Sequence, residues 1–211
     1  MGLLLGLLIS TANGEETNRP RVVCLGDSLT AGPGLALSQT WPSFLQRRID
    51  QEGLPHQVIN AGVSGDTTAA GLRRADWVLR RRADVLVLAL GANDGLRGLP
   101  LDDMERNLQG IIDKARACNP DVRILLAGIE VPPNMGADHA RRFREVFPRV
   151  AGRNRIPLWP FLLEGVANRP DLNMEDGLHP NEAGHRIIAE HAWPHVRPLL
   201  DTNGVSPRPM P

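Results

Sequence analysis

Three apolar runs in this chain stop at or just before a glycine and hand over to small polar residues. Few folds accommodate that pattern three times. The runs are Val22-Val23-Cys24-Leu25 before Gly26, Gln57-Val58-Ile59-Asn60 ahead of Gly62, and Val85-Leu86-Val87-Leu88-Ala89-Leu90 before Gly91. The third is continuous rather than alternating, as in a strand covered by helices on both faces. Between the runs the apolar spacing changes to that of helices. Phe44, Leu45 and Ile49 mark one face of 41–52; Leu72, Ala75, Val78 and Leu79 follow Asp66, a candidate N-cap; Met104, Leu108, Ile111, Ile112 and Ala115 line 102–118. A strand at 122–127, a helix around 139–150, a short fifth strand at 156–158 and a last helix over 180–196 continue the alternation. Strands and helices in this order predict an α/β fold, a parallel sheet between helix layers. Right-handed crossovers bring every strand's carboxyl end to one edge, where ligands bind.

The length of 211 residues suits one domain, and the 24 basic and 24 acidic residues leave no net field to recruit nucleic acid. Cys24 lies in a predicted strand and reads as a packed thiol. At the amino end, Leu3-Leu4-Leu5-Gly6-Leu7-Leu8-Ile9 followed by Ser10-Thr11-Ala12 resembles an export signal cut after Ala12, without the usual preceding basic residue. The run is too short to span a bilayer, so no stable membrane insertion is expected. This divides the chain into a signal peptide at 1–12, a polar linker at 13–20, the domain at 21–200 and a tail at 201–211. The location expected is the periplasm or outside the cell, or the cytoplasm if the run is instead an extra helix lying on the core, and the expected state is a monomer.

The predicted edge carries Gly26-Asp27-Ser28, Gly62-Val63-Ser64 and Gly91-Ala92-Asn93-Asp94. By itself Ser28 reads as a helix cap as readily as a nucleophile. A nucleophile needs a base, an orienter for the base and donors for an oxyanion. Of the six histidines, His179 stands apart, in Asp176-Gly177-Leu178-His179-Pro180. Asp176 and His179 are three apart, so one helical turn would put both on one face, the carboxylate holding the ring while its other nitrogen faces Ser28. Ser64 is a rival nucleophile, but its setting lacks the closing glycine of a G-x-S-x-G elbow. The N–H groups of Ser28 and Gly62 and the amide of Asn93 are candidate oxyanion donors, although an Asn before Asp-Gly is also a common turn residue. Neighbours on the same edge, Asp27, Leu29, Asp66, Asp94, Leu96, Asn134 and Leu178, are candidates for substrate contact. The loop 95–100, with its glycines and exposed leucines, reads equally as a lid or as plain surface. No histidine or carboxylate cluster has metal-ligand spacing.

Gly26-Asp27-Ser28-Leu29, the block from Asn60 through Gly62 to Thr67, Gly91-Ala92-Asn93-Asp94 and Asp176-Gly177-Leu178-His179-Pro180 together resemble, in order, the four blocks of the GDSL or SGNH hydrolases, close to the bacterial arylesterase and acyl-CoA thioesterase I/lysophospholipase L1 group. The resemblance covers roughly 21–200. It implies a flavodoxin-like three-layer α/β/α sandwich with a five-stranded parallel sheet, and neither metal nor organic cofactor. It also implies Ser28, Asp176 and His179 as the catalytic triad, and Ser28, Gly62 and Asn93 as the oxyanion hole. Pro33 departs from the family where an aromatic residue is common, and Met135 and His139 depart where tyrosines are frequent; all three bear on the pocket wall.

The expected reaction is hydrolysis of a small-molecule ester, or of a thioester or lysophospholipid, through an acyl-enzyme, with rates rising through neutral pH. A carbohydrate O-deacetylase on the same scaffold and a non-catalytic binding module are the rivals.

Overall fold

The computed structural model describes residues 19–201. Strands β1 (Arg21–Gly26), β2 (Gln57–Gly62), β3 (Val85–Ala89), β4 (Arg123–Ala127) and β5 (Leu158–Trp159) form one parallel sheet in the order β2-β1-β3-β4-β5. The helices are α1 (Ser28–Ala31), α2 (Trp41–Gln51), α3 (Thr68–Leu79), α4 (Ala92–Leu96), α5 (Leu101–Cys118), α6 (Ala137–Asn154) and α7 (Glu182–Leu200).

Period-two alternation along the strands divides the core in two. Val23, Leu25, Leu86 and Leu88 pack with Ala75 of α3, Met104, Leu108 and Ile111 of α5, and Phe143 and Phe147 of α6. Val22, Cys24, Val85 and Val87 point the other way, onto Trp41 and Leu45 of α2 and Ile188 and Ala192 of α7. The result is the expected three-layer sandwich, and the strands are apolar on both faces because both faces are covered. Burial pushes the Cys24 thiol far above its ordinary range, so it stays protonated and inert.

The layer of α2 and α7 is pinned by one polar contact. Thr40 precedes α2 without a side-chain cap, and the Trp41 N–H donates instead to Nδ1 of His185, at 3.1 Å. Burial, and then the nearby His179, lower the His185 pKa to about 4, so the ring is neutral and able to accept. The Trp41 indole also meets Trp159 edge-on, with ring centroids 6.1 Å apart, joining α2 to β5.

Several boundaries differ from the sequence reading. The fifth strand is Leu158–Trp159, displaced from 156–158, because it pairs with β4 only at Leu126 and Ala127. Thr67, not Asp66, caps α3, its hydroxyl accepting the Ala70 N–H, and α7 begins at Glu182 behind Asn181. The leader at 1–12, most of the 13–20 linker and the tail beyond Asp201 lie outside the described residues. Among the described residues no helix is long and apolar enough to cross a membrane.

Strand order reverses between β1 and β3, which diverge to their neighbours on opposite sides. Such a switch point opens a crevice beyond the carboxyl ends of the two strands. Ser28 follows β1 and Asn93 follows β3, so both stand at that crevice.

Candidate active site

The turn after β1 is tight. A Cβ on Gly26 would lie 2.1 Å from the Thr30 hydroxyl and 3.0 Å from the Ala89 carbonyl, so only glycine lets α1 fold back over the strand end. Asp27 caps α1, its Oδ1 accepting the Leu29 N–H at 3.0 Å. Ser28 is the first residue of the helix, and its own N–H is one of the donors a helix start leaves unused.

Ser28 Oγ lies 3.0 Å from His179 Nε2, across 151 positions of sequence. On the other side of the ring, Nδ1 lies 2.6 Å from Asp176 Oδ2. The two contacts define the tautomer: Nδ1–H donates to the carboxylate and Nε2 is free to accept from the serine hydroxyl. Asp176 and His179 are not on a helix. They share a loop ahead of α7, turned at Gly177, in which Asp176 Oδ1 accepts the N–H groups of Leu178 and His179 at 2.9 and 3.0 Å. The hydrogen bond from His179 first, and these backbone N–H groups next, hold the Asp176 carboxyl down to about 2.

The structure distinguishes among the candidate oxyanion donors. Asn93 lines the crevice, and its Nδ2 donates one hydrogen to Asp66 O at 2.9 Å, which orients the amide and leaves a second hydrogen. The Gly62 N–H is already engaged. Its N–H donates to Asn60 Oδ1 at 3.0 Å, and a Cβ there would lie 2.3 Å from the Ala31 nitrogen. That glycine exists so that α1 can pack on β2. Gly65, at the exposed tip of the same loop, is a further candidate donor that the sequence reading does not name: its φ is +83°, and among the described residues its N–H makes no hydrogen bond. The Gly65 carbonyl accepts from Arg97 Nη2 at 3.1 Å, and Arg97 Nη2 also lies 3.5 Å from Asn93 Oδ1, so Gly65 stands beside Asn93. The sequence signal was the second glycine of Gly62-Val63-Ser64-Gly65. Ser64 is exposed on this loop, and among the described residues no histidine hydrogen-bonds to it.

Beside Ser28, Asn93 and His179 opens a cavity of about 370 Å³ with a largely apolar wall: Leu29, Leu96, Ile129, Val131, Pro132, Phe161, Leu163, Ala167 and Leu178. Of the expected substrate contacts, Leu29, Leu96 and Leu178 line it. The others are used elsewhere. Asp27 is fully buried under α1; among the described residues its Oδ2 has no partner, and burial raises the carboxyl to about 7. Asp94, also buried, accepts from the N–H and hydroxyl of Thr68 at 2.8 and 2.6 Å, fixing the start of α3. Asp66 pairs with Arg74 at 2.6 Å, and Asn134 is exposed on the loop after β4, outside the lining. Asp27, Asp94 and Asp66 thus hold local structure and do not line the cavity.

The positions that depart from the family divide similarly. His139 supports the wall from behind, its Nε2 donating to Gly95 O at 3.1 Å, and Met135 packs on the core. Pro33 is not part of the lining. Of the loop at 95–100, Leu96 alone faces the cavity. Among the described residues no group of three His, Cys, Asp or Glu side chains could hold a metal ion.

A serine, a histidine and a carboxylate in relay, at the switch point of a parallel sheet and beside an apolar cleft, define a serine hydrolase. The chain belongs to the GDSL-like lipase/acylhydrolase family, which matches residues 24–187, and it is a serine esterase. Among its relatives, esterase TesA of Pseudomonas aeruginosa is 38% identical over 199 residues, covering 94% of this chain and 98% of the relative. Thioesterase 1/protease 1/lysophospholipase L1 of Escherichia coli K12 is 34% identical over 200 residues, covering 94% and 92%. The crystal structure of TesA superposes with a TM-score of 0.81 at 39% identity, covering 85% of this chain and 99% of that one.

Proposed function

We propose that Ser28 is the nucleophile, His179 the general base and then acid, and Asp176 the group that orients the ring and stabilises the positive charge it gains from the Ser28 proton. The Ser28 Oγ–H proton passes to His179 Nε2 as Oγ bonds to the substrate carbonyl carbon. The N–H groups of Ser28 and Gly65 and the Asn93 amide take the charge on the oxygen. His179 then protonates the departing alcohol or thiol, and water, deprotonated by the same nitrogen, releases the acid. The observation that carries the reading is the 3.0 Å contact of Ser28 Oγ with a ring whose far nitrogen is bound by a carboxylate at 2.6 Å.

The preferred substrate in this reading is an ester or thioester of an unbranched acyl chain longer than acetyl. The apolar wall supports it, since a chain buried there leaves water while an acetyl group would use little of the cavity. The names thioesterase and lysophospholipase carried by the E. coli relative support the wider range of leaving groups. Export to the periplasm, with cleavage after Ala12, rests on the apolar run and the small residues that follow it. The mass of the amino terminus of protein recovered from a periplasmic extract tests it. A monomer is the state assigned.

Labelling with a fluorophosphonate, followed by mass analysis of the modified peptide, tests the nucleophile. The adduct is expected on Ser28; an adduct on Ser64, or no adduct, overturns the assignment.

A further inference from the structure

Arg74, two turns into α3, lies outside the cavity and makes no hydrogen bond to Ser28, His179 or Asn93. Its guanidinium joins two chain segments that do reach the site. Nε donates to Asp66 Oδ2 at 2.6 Å, and Nη2 donates to the Gly26 carbonyl at 2.9 Å. Gly26 ends β1 two residues before Ser28, and its carbonyl also accepts the Val63 N–H at 3.1 Å. Asp66 follows Gly65, and its carbonyl orients the Asn93 amide at 2.9 Å. The side chains of Arg74 and Asp66 are 20% and 13% exposed, so the contact is screened far less than a surface pair.

The three proposed oxyanion donors come from three separate connections, after β1, β2 and β3. Asn93 ties the second to the third through Asp66 O. The first is tied to the second, beyond the last paired residues Gly26 and Gly62, by Val63 N–H and by the Arg74 fork. A planar guanidinium held by two acceptors fixes direction as well as distance, which a single ammonium does not.

We infer that Arg74 is a positioning residue for oxyanion stabilisation, holding the loop of Gly65 and Asp66 at a set distance from the strand end that carries Ser28. The inference rests on the oxyanion roles given above. Donors aimed at the oxyanion act where charge develops, so their misplacement lowers kcat and leaves KM nearly alone.

The test compares Arg74→Ala, Arg74→Lys and Asp66→Asn on p-nitrophenyl butyrate. Arg74→Ala is expected to lower kcat about 10- to 100-fold with KM within about twofold. Arg74→Lys should recover part of that loss and Asp66→Asn reproduce part of it. The pH profile should keep its midpoint, because the pair of Asp176 and His179 is untouched. In the double variant with Asn93→Ala, the loss should fall short of the product of the two single losses, because part of the Arg74 effect passes through Asn93 and the rest through Gly65. A folded Arg74→Ala with unchanged kcat, a raised KM at constant kcat, or losses that multiply in the double variant would each overturn the inference. Should Arg74→Ala not fold, unchanged kcat in Asp66→Asn overturns it. A native chain whose Ser28 is not labelled by fluorophosphonate would overturn the nucleophile assignment instead, and the inference with it.

Discussion

Asp176 binds His179 at two points: Oδ2 meets the ring Nδ1 at 2.6 Å, and Oδ1 accepts the backbone N–H at 3.0 Å. Ring and main chain of the base are therefore set by one carboxylate from three residues away. The arrangement separates a charge effect from a folding effect. Asn in place of Asp176 keeps an oxygen for the backbone N–H groups but cannot hold the ring in the same way. Asp176→Asn should lower kcat about 10²- to 10³-fold, less than the ~10⁴ of a buried triad aspartate, because this carboxylate is 44% exposed. Steady-state kinetics and circular dichroism on one preparation check both halves. Because the Asp176 pKa is held at about 2, its contribution to stability is present in full above its ordinary range and is lost progressively as pH falls from there through about 2, while the carboxylate itself stays ionised in the folded chain near pH 4. Loss of activity near pH 4 would therefore have to arise elsewhere.

Ser28→Ala should abolish the acyl-enzyme route and lower kcat by about four decades or more. Ser64→Ala, on the exposed loop, should stay within about threefold of wild type. The paired assay on p-nitrophenyl butyrate decides between the two serines, and full activity in Ser28→Ala would refute the mechanism.

Two substitutions in the neighbourhood of the donors should behave oppositely. Asn93→Ala removes an amide aimed into the cleft, and kcat should fall about 10²- to 10³-fold with little change in melting temperature. Gly62→Ala puts a methyl 2.3 Å from the Ala31 nitrogen, so its first effect is on stability, a loss of about 1–3 kcal/mol or more. Thermal denaturation beside kinetics separates them; a Gly62→Ala protein as stable as wild type would show that α1 can give way.

Asp27 predicts a pH dependence of stability with its sign reversed from the usual carboxylate. Burial raises its pKa from 3.8 to about 7, so its favourable neutral form is present below pH 4 and is lost as pH rises through about 7. Asp27→Asn keeps the oxygen for Leu29 N–H and cannot ionise. Relative to wild type, the variant should gain about 2–4 kcal/mol between pH 5 and pH 9. His185, depressed to about 4, tilts the wild-type curve the opposite way, losing stability as pH falls below its ordinary range. The difference between the two melting curves is therefore the readout, and a difference independent of pH would mean that Asp27 is ionised throughout.

The apolar cleft predicts a chain-length series. From p-nitrophenyl acetate upward, each methylene that finds the wall should raise kcat/KM by up to about fourfold, from ~0.8 kcal/mol of burial, until the cleft is full. A flat profile from acetate to decanoate would remove the acyl-pocket assignment.

The strands were legible where apolar runs were long, as in Val85–Ala89, and poorly so at Leu158–Trp159, whose extent is set by two pairings with β4 rather than by its own composition. The D-x-x-H spacing identified a pair that does meet, while the helical turn invoked for it was wrong. An Asx-type loop closed by backbone N–H groups brings positions three apart together just as well. Gly62 and Gly65 could not be ranked from sequence, because what decides between them is whether another group already holds the N–H. The acids Asp27, Asp66 and Asp94 looked like edge residues open to substrate. Their burial and their partners Leu29, Arg74 and Thr68 depend on helices packed over them, which no local pattern encodes.

The sheet order also bears on how such an enzyme can change. The proposed oxyanion donors belong to the connections after β1, β2 and β3, whereas Ile129, Val131, Phe161 and Leu163 of the cleft follow β4 and β5. Oxyanion stabilisation and this part of the wall thus come from different flanks of the serine, although Leu29 and Leu96 join the wall from the donors' side and Asp176 and His179 follow β5. Descendants of one ancestor could exchange the segments around Ile129, Val131, Phe161 and Leu163 and acquire new acyl preferences while inheriting the donors and the Asp176–His179 loop intact.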